Sequence, residues 1–309
     1  VIVELAVTPA AGPGTVSLAQ ADEIATLAQQ LGVTALRLVD QAPAGQALDP
    51  TVVGSYLAGR NGEIGYLADV PTTGQAPYNL ARRVLSIDRA TAGRFGVVLR
   101  AGDGDEVSQA TVPDRAATGP IARWSEYARV LTRLWESFPR AALLGDVENA
   151  VVVDDSLIRP IAHEGRFYRV AGPLDGPSSV QGRPVLAAID PEVLDEATAV
   201  ADLIIVGRDR AAGADPALTS ALARAGRDRS QVALLGRVVL PADLPSEPTT
   251  PEFIDPVALR SWIAGTGLDG VVLAPTGPAH QVADLLRTLV PALQPARGDT
   301  LRAGLGLPT

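Results

Sequence analysis

The chain has 309 residues, a formal net charge of −9 and 47% hydrophobic residues, enough apolar material for a large core. Its acidity repels phosphate backbones and anionic headgroups, which makes nucleic acid and membrane surfaces poor partners. Cysteine and lysine are absent and histidine is limited to His163 and His280, so disulfides, imidazole-rich metal sites and Schiff-base chemistry are excluded.

An apolar strand over 2–8 is followed by Ser17, a helix cap, and by Leu18, Ile24, Leu27 and Leu31 at helical spacing. Gly32 ends that helix and Ala35 to Asp40 reads as the second strand. Further strands are expected at Glu63 to Val70, Arg94 to Ala101, Pro184 to Asp190, Asp202 to Gly207, Gln231 to Leu240 and Asp269 to Thr276. Helical patterns fall between them at about 50–59, 77–91, 119–137, 192–200, 214–227 and 255–267, with a last one at about 279–294. One stretch breaks the alternation. Within 146–183, Val151-Val152-Val153 and Gly165 to Val170 read as short strands with no helix between them, the mark of an inserted hairpin before strand 5. Pro241 to Pro256 is rich in Pro, Ser and Thr and reads as a loop.

Strands separated by helices require parallel, right-handed crossovers, a condition that an open doubly wound sheet also meets. Eight repeats and the lack of a Gly-rich fingerprint after the first strand favour a closed (β/α)₈ TIM barrel, an α/β fold, as a single domain over 1–309. No apolar run approaches the roughly 20 residues that span a bilayer, and the first residues lack the basic start of a signal peptide. The chain therefore reads as cytoplasmic.

Four stretches carry a resemblance. They are Thr72 to Asp88 running on to Gly93-Arg94; Trp124-Ser125-Glu126-Tyr127 with Leu134 to Phe138; His163 to Leu174 with Gln181 to Leu186; and Thr300 to Pro308. Together and in this order they resemble the bacterial luciferase-like flavin-dependent monooxygenases, in the branch of nitrilotriacetate monooxygenase component A. The resemblance implies a two-component monooxygenase that uses FMN, reduced by a separate NAD(P)H:flavin reductase, and O₂ to oxygenate a small organic substrate. It also implies a homodimer. The alternatives are a degenerate flavin- or ligand-binding barrel without oxygenase activity, and an oxidoreductase that uses F420.

In a barrel of this kind the ligand sits over the C-terminal ends of the strands. The cofactor candidates there are Asp40, Thr72, Thr73, Arg100, Asp190 and Arg208, and no catalytic residue or metal ligand stands out. Of these, Asp40 and the Thr72-Thr73 pair match the loops that hold the flavin ring in the related enzymes, although Thr and Asp are equally common as loop caps. Two strand ends depart from the family. Val97 to Gly102 lacks the Trp-Asn and Thr-Ser pairs of the relatives, and Ala188-Ile189-Asp190-Pro191-Glu192 replaces their phosphate-binding Gly-Ser-Ser turn. Pro191 removes an N–H, while Asp190 and Glu192 bring negative charge toward a dianion. The chain is also compact for this branch, with a shortened lid after the sixth strand. Trp124, Tyr127, Leu131, Leu134 and Trp135 at helical spacing read first as a core-facing stripe, and His163 as a hydrogen-bonded structural residue.

Overall fold

The computed structural model describes residues 1–42, 45–102, 113–114, 116–189, 193–240 and 255–308. Among these residues eight strands pair in parallel and in chain order: β1 (Ile2–Thr8), β2 (Ala35–Val39), β3 (Gly65–Pro71), β4 (Phe95–Arg100), β5 (Val185–Ala188), β6 (Leu203–Gly207), β7 (Ala233–Leu240) and β8 (Gly270–Pro275). β8 returns to β1 through Ile2↔Val272 and Val3↔Leu273, and this pairing decides between an open sheet and a barrel. The sheet is closed.

A helix follows each strand: α1 (Leu18–Leu31), α2 (Pro50–Ala58), α3 (Pro77–Ala90), α4 (Pro120–Glu136), α5 (Leu194–Ala197), α6 (Ala214–Arg224), α7 (Pro256–Thr266) and α8 (Ala279–Leu293). Their starts are written in the sequence. Ser17 and Gln20 form a reciprocal capping box on α1, and Asp49 and Asp255 accept the N–H of Thr51 and Val257 ahead of α2 and α7. Pro50, Pro77, Pro120 and Pro256 each fill a first helical position, where a missing N–H costs nothing. Gly32 closes α1 at φ 79°, a left-handed conformation that glycine adopts without strain. α5 is shorter than its pattern predicts. Val200 and Ala201 turn back on Ala197 so that the Asp202 N–H can reach the Leu186 carbonyl.

Strand side chains alternate between two cores. Outward residues such as Val3, Leu5, Leu36, Leu38, Val97 and Leu99 pack against the helices. Inward residues Ile2, Leu67, Val98, Val185, Leu203, Leu235 and Val272 fill the lower lumen, closed from beneath by Leu301 and Leu307 of the C-terminal segment. The lumen is tight: a Cβ on Gly96 would lie 2.5 Å from the Val185 carbonyl oxygen, so only glycine fits there.

The expected insertion lies between α4 and β5 and holds two small antiparallel ladders rather than one. Leu143–Asp146 pairs with Val151–Val153, and His163–Glu164 pairs with Arg169–Val170. Each strand finds a partner close in sequence, so the two predicted strands never meet. The β6–α6 connection is brief, a turn at Arg208–Arg210 followed by α6 from Ala214. The predicted loop after β7 lies largely outside the described residues. Among the described residues no helix is long and apolar enough to cross a membrane.

Candidate functional site

Above the apolar lower layer, the inward positions of four strands change character. Glu4 on β1, Arg37 on β2, Asp69 on β3 and Arg237 on β7 all turn into the lumen, where parallel strands covered by helices normally carry only apolar residues. They form one chain of ion pairs. Arg37 grips Asp69 through Nε–Oδ1 at 2.8 Å and Nη2–Oδ2 at 2.6 Å, and donates from Nη1 to Glu4 Oε2 at 2.5 Å. Arg237 holds the same Glu4 from the other side, Nε–Oε2 at 2.8 Å and Nη2–Oε1 at 2.6 Å. One level higher, at the strand ends, Arg100 of β4 donates to Asp40 beyond β2. The field of Arg100 reaches Asp69, which makes the six residues one electrostatic unit.

The burial of these groups sets their protonation. Burial pushes Asp69, with 1% of its side chain exposed, up to about 6 against the opposing pull of Arg37. Burial also pushes Glu4 up, but the guanidiniums of Arg237 and Arg37 more than offset it and hold the carboxyl below its ordinary range. Burial disfavours charge on Arg37 too, and Asp69 and Glu4 reverse that, so Arg37 stays protonated. At neutral pH Glu4, Asp69 and Arg37 are therefore ionised, and Asp69 takes a proton before Glu4 as the pH falls.

The predicted site residues are partly brought together here. Asp40 and Arg100 meet at the mouth, with 19% and 22% of their side chains exposed. Thr72 is fully buried: its hydroxyl accepts from the Gly102 N–H at 3.2 Å and its own N–H donates to the Arg100 carbonyl at 3.0 Å, tying the β3 and β4 loops together. Half-buried Thr73 packs against Gly102, where a Cβ would lie 2.5 Å from its Oγ1. Arg208 is exposed at the end of β6. Asp190, with Pro191 and Glu192, lies outside the described residues. Among the described residues no group of His, Asp and Glu is placed to hold a metal ion.

Sequence reading passed over Glu4, Arg37 and Arg237. The signal was a single charge at an inward register position within an otherwise apolar buried strand, which must find a partner. The motifs that carried the resemblance lie elsewhere and act as scaffolding. Glu126 on α4 accepts the backbone N–H groups of Arg166, Phe167 and Tyr168 and faces His163 Nε2 at 3.0 Å, docking the insertion. Asp88 accepts from Phe95 N and Gln181 Nε2, and Gln181 Oε1 accepts from Arg302 N, so three of the four stretches interlock. Trp124 and Trp135 are fully buried and donate to the carbonyls of Leu99 and Ala81, the core stripe that their spacing implied.

A fully closed barrel, an insertion docked on α4 and a polar mouth over the strand ends can be compared with known proteins. The profile of the luciferase-like monooxygenases matches residues 2–247. The chain belongs to that family. It is 29% identical to one of the subunits of pristinamycin IIA synthase from Streptomyces pristinaespiralis over 287 residues, 90% of this chain and 89% of that one. It is 31% identical to nitrilotriacetate monooxygenase component A of Aminobacter aminovorans, over 45% of this chain and 31% of that one. The chain thus spans nearly all of the first relative and about a third of the second. EDTA monooxygenase from Chelativorans sp. BNC1 has the same fold, with a TM-score of 0.80, 19% identity and coverage of 99% and 98% of the two chains. Membership of a family of monooxygenases makes this luciferase-like chain an oxidoreductase.

Proposed function

We propose that this luciferase-like chain is a two-component monooxygenase that takes reduced FMN from a separate NAD(P)H:flavin reductase and oxygenates a small organic substrate with O₂. The observation that carries the reading is the polar mouth over the strand ends, with guanidinium donors from Arg100 and, at the rim, Arg208. The donor set suits a flavin. Arg100, Arg208 and Thr73 offer N–H and O–H groups to its phosphate, its ribityl chain or the polar edge of its ring, and Asp40 accepts from a ring N–H. When bound, reduced flavin supplies the two electrons that activate O₂. The chain's part is to hold and to shield. Asp40 fixes the Arg100 guanidinium, Thr72 ties the β3 loop to Gly102, and the buried pairs below form an ionic floor. Asp190 belongs to this proposal as a cofactor-binding candidate carried over from the resemblance.

The test is calorimetric titration with FMN, oxidised and reduced, and with F420 as comparator, followed by turnover with NADH and a flavin reductase. Preference for reduced FMN with coupled substrate oxidation supports the reading, whereas failure to bind either flavin or F420 removes it. A second reading is favoured by one observation: the relative matched along nearly its whole length is named as one subunit of a synthase. In that reading the chain is a companion barrel without oxygenase activity of its own. Full turnover by the purified chain, as the expected homodimer, would exclude it.

A further inference from the structure

The six charged groups at the top of the lumen are matched in number but not in hydrogen-bonding capacity. Glu4 accepts three bonds, two from Arg237 and one from Arg37, and both oxygens of Asp69 are taken by Arg37. Only Asp40, which accepts from Arg100 on Oδ1, keeps a carboxylate oxygen with no bond to another described residue. The donors are less used. Arg237 spends Nε and Nη2 on Glu4 and keeps Nη1; Arg100 spends Nη1 on Asp40 and keeps Nε and Nη2. These two arginines are also the more open members of the unit, with 32% and 22% of their side chains exposed, against 5% for Arg37, 12% for Glu4 and 1% for Asp69. Glu4 is shared between two guanidiniums, so Arg237 has only part of a counterion at the exposed level. The mouth therefore offers three spare guanidinium nitrogens, Arg237 Nη1 and Arg100 Nε and Nη2, against one unused carboxylate oxygen, that of Asp40.

We propose that Arg237 and Arg100 form an anion-binding site at the barrel mouth, which takes a carboxylate or phosphate group carried by the ligand. Arg237 is the main grip, because its bidentate hold on Glu4 fixes the guanidinium plane and aims Nη1 away from the pair. Arg100, three strands away round the barrel on β4, supplies the second donor. A guanidinium already anchored by a carboxylate loses little freedom when it binds a second anion, which makes it a specificity element rather than a general attractor. The site deepens the flavin reading and rests on it only for the reaction; anion binding is separately measurable. The acidic group has two sources, the phosphate of FMN or an acidic substituent on the substrate.

The test compares the full-length chain with Arg237→Gln, Arg100→Gln and Arg237→Lys, each checked for native circular dichroism. The probes are citrate and inorganic phosphate, titrated by thermal shift against sodium chloride of equal ionic strength, and FMN beside riboflavin, titrated by fluorescence. The site predicts that citrate or phosphate stabilises the wild type beyond salt, and that either Gln variant loses about tenfold or more in apparent affinity. Arg237→Lys keeps the charge but not the fork, and falls between. A wild-type preference for FMN over riboflavin that the Gln variants lose assigns the site to the flavin phosphate. An unchanged preference with lost citrate binding assigns it to an acidic substrate. Equal responses of wild type and both Gln variants to every anion overturn the proposal. Failure of riboflavin and FMN alike, with citrate binding intact, sinks the flavin reading and leaves the anion site standing.

Discussion

Replacing Arg37 by methionine removes the cation that serves two buried carboxylates at once. Arg37 has 5% of its side chain exposed, and its partners Glu4 and Asp69 have 12% and 1%. Glu4 keeps Arg237, but Asp69 keeps no hydrogen-bonded cation. Removing one partner of a buried ion pair costs on the order of 3–5 kcal/mol, because the remaining charge is left in a poor solvent. That is a large part of the stability of most domains. Asp69, already pushed up to about 6 by burial against the pull of Arg37, will rise further in the variant and take a proton. The loss should therefore be greatest near pH 8 and shrink toward pH 5, where a neutral carboxyl needs no cation. Replacing both groups, as in Arg37→Met with Asp69→Leu, should recover much of it, since apolar side chains of similar volume can fill such a site. Urea midpoints at three pH values measure all of this. A loss in Arg37→Met below about 1 kcal/mol at pH 8, or a double variant as unstable as the sum of the singles, would refute the reasoning.

Two further substitutions probe the scaffold. Burial pushes the Asp88 carboxyl up to about 6 despite its hydrogen bonds, and one of its buried oxygens, Oδ2, lacks a bonded partner. A folded pKa above the unfolded value gives a contribution to stability that is present below about pH 4 and lost as the pH rises through 6. Asp88→Asn should thus flatten the fall in stability between pH 4 and 8, by at most ~3 kcal/mol; an unchanged slope in thermal unfolding across that range counts against the assignment. Glu126→Ala strands the N–H groups of Arg166, Phe167 and Tyr168, at roughly 1 kcal/mol each. The expected signs are a lower unfolding temperature and faster protease cleavage between 163 and 170, and wild-type resistance there would show that the insertion is held by other contacts.

The order of elements was legible because each repeat carries its own punctuation: Ser17 and Gly32 bracket α1, and Pro50, Pro77, Pro120 and Pro256 open four other helices. Such signals are local. The closure of the barrel was a matter of counting repeats, and the β8–β1 pairing is a contact across the whole chain that no window contains. The ionic floor was hidden for a related reason. A charge within a strand such as Val1-Ile2-Val3-Glu4-Leu5 can face either side, and only the register across β1, β2, β3 and β7 shows that Glu4, Arg37, Asp69 and Arg237 converge. The recognised motifs were misleading as guides to chemistry. Glu126, Asp88 and Gln181 hold the insertion and the lower rim together, whereas the polar groups of the mouth lie mostly in strands that the motifs do not cover.

The pairing that closes the ring also governs how the chain can be made. Residues 2 and 3 wait for residues 272 and 273, so during synthesis β1 is left with an open edge until β8 has emerged. The last turn, through Arg302 on Gln181 and Asp202, comes later still. Contacts of such separation form slowly, and an unfinished sheet invites pairing with a neighbouring nascent chain. Vigorous expression at high temperature should therefore fill inclusion bodies, and slower translation in the cold should favour the finished protein.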